Sequence, residues 1–193
     1  MQFVDRSQAD AIPEASLVRN AREGDEKAFL AIYHLHRDAV YRFAWRLTGS
    51  TAAAEDVTQE CFLALVRGAA FDGTRGTLRT YLFGMARNLV LRRLRVSSRE
   101  VEESAEPVAP VDVLGDLLAA ERAALVAGAV ARLPLFQREA IVLFTYEEMS
   151  MEEIGEIVGA EVGAVKSRLR RARESLHAAL APLLARDAER RCL

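Results

Sequence analysis

Glycine and proline are scarce, 11 and 5 in 193 residues. Turn-rich sheet folds use both at their hairpins, so their scarcity favours helices. No segment shows the period-two alternation of a strand, and no internal repeat is present. Cysteine is scarcer still: Cys61 and Cys192 cannot build a disulfide framework, and so few thiols fit a reducing compartment. No run approaches the ~18 apolar residues of a membrane span. Met1 to Ser16 lacks the apolar core of a signal peptide, so a cytoplasmic protein is expected. No Gly-Lys-Ser/Thr follows Gly73 and Gly76, which excludes a phosphate loop. His34 and His36 stand about 200° apart on a helix, and the spacing of a zinc motif is missing. No nucleophile–base arrangement is visible either. Neither an enzyme, a metal nor a cofactor is expected.

What the chain does have is apolar content, 51%, enough to bury real cores, and charge that is segregated along its length. The net charge of -2 hides this. Arg87 to Arg99 holds Arg87, Arg92, Arg93, Arg95 and Arg99 without an acid. Glu100 to Asp116 holds only acids: Glu100, Glu102, Glu103, Glu106, Asp112 and Asp116. Lys166 to Arg173 is again purely basic, with Lys166, Arg168, Arg170, Arg171 and Arg173. Two basic segments with an acidic connector suit a nucleic-acid binder better than the whole-chain charge suggests.

An all-α architecture of two small helical domains is expected. Residues 1–15 read as an N-terminal arm, 16–96 as the first domain, 97–116 as a flexible acidic linker, 117–182 as the second domain and 183–193 as a tail. From Asp25, apolar residues recur every three or four positions through Phe29, Ile32, Tyr33, His36, Val40, Phe43, Ala44 and Leu47. Gly49 ends that helix. The next runs to about Arg67, with Ala54, Val57, Cys61, Ala64 and Leu65 inward. A glycine loop at Phe71 to Thr77 precedes a third helix from Leu78 to about Arg95, with Leu82, Met85, Ala86, Leu89 and Arg93 on its inner stripe. Further helices are expected from Leu117 to Arg132 and from Leu133-Pro134 to about Phe144.

Ser150-Met151-Glu152-Glu153 reads as a capping box opening a short helix to Val158. Gly159 supplies a tight turn. A second helix follows from about Val162 to Leu180, with Val165, Leu169, Ala172 and Leu176 inward and arginines outward. This is a helix-turn-helix pattern. Gly163 and Ala164 allow close approach to a groove, and Lys166, Ser167, Arg170 and Arg171 can reach base edges and phosphates. A basic face alone would read as a solvated one; the capping box and glycine turn beside it favour DNA binding.

The stretch from Met149 to Gly159, followed by Val162 to Arg173, resembles region 4 of extracytoplasmic-function sigma factors. Independently, Ala54-Glu55-Asp56-Val57-Thr58-Gln59-Glu60-Cys61-Phe62 resembles their region 2.2, and Tyr81 to Val90 their region 2.4. The resemblance implies a non-enzymatic promoter reader acting in a stress or envelope response, with core RNA polymerase and promoter DNA as partners. Asp56, Gln59, Glu60 and Leu63 would dock on the clamp helices of the polymerase largest subunit. Asp72, Thr74, Arg75, Tyr81, Arg87, Asn88, Arg92 and Arg95 would take the −10 element, melted bases included. Gly163, Ala164, Lys166, Ser167, Arg168, Arg170, Arg171 and Arg173 would take the −35 element. The resemblance also implies control by an anti-sigma protein. Tyr81 suits base stacking and core packing equally well. The other reading is a helix-turn-helix activator with a helical sensor domain, which would bind DNA without polymerase.

Overall fold

The computed structural model describes residues 13–68, 71–74, 76–97 and 117–191. These residues form helices and no strand. The helices are α1 (Glu14–Arg22), α2 (Glu26–Thr48), α3 (Thr51–Val66), α4 (Leu78–Ser97), α5 (Leu117–Ala131), α6 (Leu135–Thr145), α7 (Met151–Val158) and α8 (Val162–Arg191). The chain divides into two compact units, the first built on α1, α2 as far as Ala44, α3 and α4, the second on α5–α8 with Trp45–Ser50. Arg75, Cys192 and residues 98–116 of the expected linker lie outside the described residues.

In the first unit, local chemistry sets each helix start. Asp25 caps α2, its Oδ1 accepting from the backbone N–H of Lys27 at 2.9 Å and of Ala28 at 3.2 Å. Thr77 does the same for α4 through Thr80 N at 3.1 Å. Gly49 takes φ 70° after α2, as its position required. Within this unit the inward row of α2 is buried at Ile32, His36, Val40, Phe43 and Ala44. It meets Ala54, Val57, Cys61, Phe62 and Leu65 of α3 and Leu82, Phe83, Ala86, Leu89 and Val90 of α4 in one apolar core. Phe43 and Phe83 sit edge to face at 5.2 Å, and Tyr33 and Phe62 at 4.9 Å.

Three expectations change here. α1 begins at Glu14, inside the stretch read as an arm, and buries Leu17, Val18 and Ala21. It is tied down at both ends. Glu14 Oε1 is hydrogen-bonded to His36 Nε2 at 3.0 Å, and Arg22 Nε donates to the Leu65 carbonyl at 3.0 Å. The His36 contact holds the Glu14 carboxyl below the usual carboxylate range, against the opposing effect of partial burial. On α4 the buried row is shifted from the stripe expected: Phe83 and Val90 are covered with Leu82, Ala86 and Leu89, while Met85 and Arg93 are only half-buried. At the other end of the chain, α8 runs on past Leu180 to Arg191, through most of the segment read as a tail. The alanines and leucines between His177 and Ala185 favour this continuation, while Pro182 inside the helix removes one backbone donor and opposes it.

The second unit packs α6 and α7 against α8. Its core is Ala140, Ile141, Val142 and Leu143 of α6, Ile154, Ile157 and Val158 of α7, and Val165, Leu169 and Ala172 of α8. Ala129, Val130 and Leu133 add to it from α5 and the turn that follows.

Candidate nucleic-acid interface

The helix-turn-helix forms where the sequence placed it. Ser150 Oγ accepts from Glu153 N at 3.1 Å, and Glu153 Oε2 accepts from Ser150 N at 2.8 Å, the two bonds of a capping box. Gly159 closes α7 in the left-handed region, φ 63° and ψ 46°. A second glycine, unremarked in the sequence, is as necessary. A Cβ on Gly155 would lie 2.7 Å from the Ala160 carbonyl oxygen, and Ala160 N donates back to the Gly155 carbonyl at 3.0 Å. The turn closes this tightly only because Gly155 has no side chain.

On α8, Val165, Leu169 and Ala172 are buried while Gly163, Ala164, Lys166, Ser167, Arg170, Arg171 and Arg173 are exposed. At about 100° per residue, Ser167 stands roughly opposite the buried row, flanked by Gly163, Arg170 and Arg171. The outward face is therefore one contiguous basic surface with small residues at its N-terminal end. Several groups already have intramolecular partners. Ser167 Oγ donates to the Gly163 carbonyl at 3.0 Å, and Arg170 pairs with Glu174 at 2.6 Å. The Arg173 guanidinium lies 5.1 Å from the Phe144 ring centre.

Arg168 does not share this face. Its Nη1 is 3.1 Å from Oε1 of Glu139, whose side chain is 0% exposed. Its guanidinium also stacks on Phe136 at 5.2 Å. The basic run could not show this, because the partner comes from another helix.

On α4, helix geometry brings Tyr81, Asn88, Arg92 and Arg95 within about 60° of one another, along a stripe roughly 21 Å long. Asn88, Arg92 and Arg95 are exposed. Arg87 stands about 100° round from Asn88 and is half-buried. Tyr81 is half-buried against Phe71, with ring centres 5.4 Å apart, and this partial burial raises its phenol pKa. It is thus both packed and accessible. Phe71, which sequence reasoning treated only as loop, belongs to this site as the aromatic neighbour of Tyr81. Beside it, Asp72 Oδ1 accepts from Thr74 N at 3.0 Å and from Thr74 Oγ1 at 2.7 Å, a turn that shapes the loop.

Asp56, Gln59 and Leu63 are exposed on α3, with Glu60 half-exposed among them. The structure brings this face together with α4: Arg93 pairs with Asp56 at 3.0 Å and with Glu60 at 3.6 Å, and Arg92 pairs with Glu60. Arg93 was expected on the inner stripe of α4 and in its basic run, and its pairing with α3 comes from the structure. Among the described residues there is no cluster of three or more His, Cys, Asp or Glu side chains able to hold a metal. No described helix is long and apolar enough to cross a membrane.

A helical bundle with a polar stripe on its last helix, followed by a basic helix-turn-helix, is the arrangement of the sigma-70 class. Sigma-70 region 2 matches residues 32–100, and Sigma-70 region 4 matches residues 123–176. The chain is 32% identical over 183 residues to the ECF RNA polymerase sigma factor SigW of Bacillus subtilis, covering 86% of this chain and 96% of that one. It is 31% identical over 168 residues to SigK of Mycobacterium bovis, covering 83% and 90% of the two chains. Among solved structures it is similar to the sigma factor RpoE bound to the anti-sigma factor NepR from Bartonella quintana. That likeness has TM-score 0.69 and 28% identity, covering 80% of this chain and 98% of RpoE. It is also similar to CnrH in complex with the cytosolic domain of CnrY, with TM-score 0.66 and 27% identity, covering 88% and 97%. The chain belongs to the extracytoplasmic-function RNA polymerase sigma factors. Its function is that of an RNA polymerase sigma factor, and such factors are not, as a family, enzymes.

Proposed function

We propose that the chain divides this work among three surfaces, acting in the cytoplasm. The exposed part of α3, at Asp56, Gln59, Glu60 and Leu63, docks on the clamp helices of the polymerase largest subunit. Acids and an amide beside an apolar residue complement a basic, partly apolar partner. The outward face of α8 enters the major groove of the −35 element. Lys166, Ser167 and Arg171 reach base edges, and Arg170 and Arg173 hold phosphates.

The stripe on α4 takes the −10 element. Arg87, Arg92 and Arg95 meet the upstream phosphates. Asn88 pairs with a base edge, and Tyr81 with Phe71 offers an aromatic surface for an unstacked base beside the Asp72–Thr74 turn. Unstacking costs a few kcal/mol, and capture of the freed base offsets it. The domains are 16–96 and 117–182, with α1 extending the first toward the N-terminus. RpoE is described with an anti-sigma factor, and we extend that mode of control to this chain.

The contiguous basic face of α8, with small residues at its leading end, carries this reading. Run-off transcription with core polymerase tests it. Specific transcripts are expected only when the chain is added, and DNA binding without any such transcripts would overturn it.

A further inference from the structure

We infer that Glu139 sets the rotation of the recognition helix through Arg168, so that Arg168 is a positioning residue and not a DNA contact. The inference rests on the −35 reading of α8. Glu139 is fully buried on α6, and Phe136 lies one turn earlier on that helix. The Arg168 guanidinium meets both, 3.1 Å from the carboxylate and 5.2 Å from the ring. Taking the partner away from a buried carboxylate leaves an uncompensated buried charge, which is strongly unfavourable. A phosphate would have to compete with that carboxylate for a guanidinium whose side chain is only 25% exposed.

Val165, Leu169 and Ala172 turn one face of α8 inward, but an apolar stripe sets that rotation only coarsely, because burial itself is non-directional. The planar fork of Arg168 on one carboxylate oxygen and one ring face does have direction. It acts one residue from Ser167 and two from Lys166. A rotation of about 30° would carry those side chains off the base edges that they address. Arg168 therefore couples α6 to the base-reading turns of α8.

The test uses the full chain and duplexes enriched by the wild-type protein from a randomised DNA pool, with scrambled duplexes as the non-specific reference. Each variant is assayed at a temperature where circular dichroism shows it folded. Glu139→Gln and Arg168→Gln should each lower the specific-to-scrambled affinity ratio roughly tenfold, the scale of one base contact. Binding to scrambled DNA and the salt slope should stay unchanged, and the double variant should be no worse than either single. Arg168→Lys keeps the charge and loses the fork, so it should share the loss of ratio. An even loss on both duplexes with a salt slope smaller by about one would make Arg168 a phosphate contact and overturn the inference. So would wild-type behaviour of Arg168→Lys. Arg171→Ala separates this from the reading beneath it. Loss of ratio there, with none in Glu139→Gln, overturns the positioning role alone; no loss in either overturns both.

Discussion

Arg93 reaches from α4 to Asp56 on α3, its Nη1 3.0 Å from Oδ2. Asp56 is 59% exposed in this pair, so the contact contributes little to stability, about 0–1 kcal/mol. The face can therefore be rewritten without unfolding the domain. Asp56→Arg with Gln59→Ala should weaken core polymerase binding, because it sets a second cation beside Arg93 where a basic partner docks. A pull-down against core enzyme, with a circular dichroism spectrum as the folding control, checks this. Undiminished binding would remove α3 from the polymerase interface.

Base readout and phosphate anchoring should separate on α8. Arg171→Ala should cost roughly 1–3 kcal/mol at the −35 site and relax preference at one or two positions. Arg173, beside Phe144, should act more evenly, and Arg173→Ala should weaken binding to all sequences alike. A promoter-mutation scan with the two patterns exchanged would reverse the assignment.

Melting should depend on Asn88, which is exposed on the same α4 stripe as Tyr81. Asn88→Ala should impair open-complex formation more than closed binding. Permanganate reactivity of the −10 region reports opening, and a gel shift reports the closed complex. Equal loss in both steps would mean that Asn88 anchors duplex only.

Gly155→Ala should destabilise the second domain although the position is helical, where alanine is ordinarily the better residue. The added methyl meets a backbone oxygen at 2.7 Å, and neither side of the contact is a flexible side-chain end. Overpacking of this kind costs about 1–3 kcal/mol. That predicts a fall of several degrees in the melting temperature, at about 4–8 °C per kcal/mol for a domain this small. An unchanged or raised melting temperature would show that the turn relaxes freely.

Cys61 should be inert in the folded protein. It is fully buried, and burial together with the neighbouring Glu60 charge pushes its thiol pKa up to about 12. Iodoacetamide at pH 8 should therefore label it only after denaturation. The folded pKa lies above the unfolded value, so the stabilisation is complete below about 8.5 and is lost as pH rises toward 12. Rapid native labelling would show that the α2–α3–α4 core opens.

Much of the second domain was legible residue by residue. The capping box at Ser150 and Glu153, the turn at Gly159 and the start of α8 at Val162 lie where the sequence alone put them. These are interactions between neighbours three or four residues apart, and their free energy is decided locally. The same holds for the buried rows of α2 and α8, which follow the helical period. By contrast, α1 offered only Leu17, Val18 and Ala21 after Pro13, a row inside the expected first domain but too short to announce a helix starting at Glu14. It is held by partners far along the chain, His36 and Leu65.

The family, the all-helical class and the location of the basic faces were thus properties of the sequence. Helical spacing already set Arg93 on the inner stripe of α4, but which partner an inward arginine takes was decided only by the tertiary structure. In the run from Lys166 to Arg173, Arg168 differs from Arg170 and Arg171 only in its place on the helix, yet it turns to Glu139, 29 residues away. In the run from Arg87 to Arg95, Arg93 turns to Asp56, 37 residues away. A guanidinium can serve water, phosphate or a carboxylate with nearly the same chemistry. What selects among them is the distance and burial of a partner on another helix, and local spacing carries no record of that.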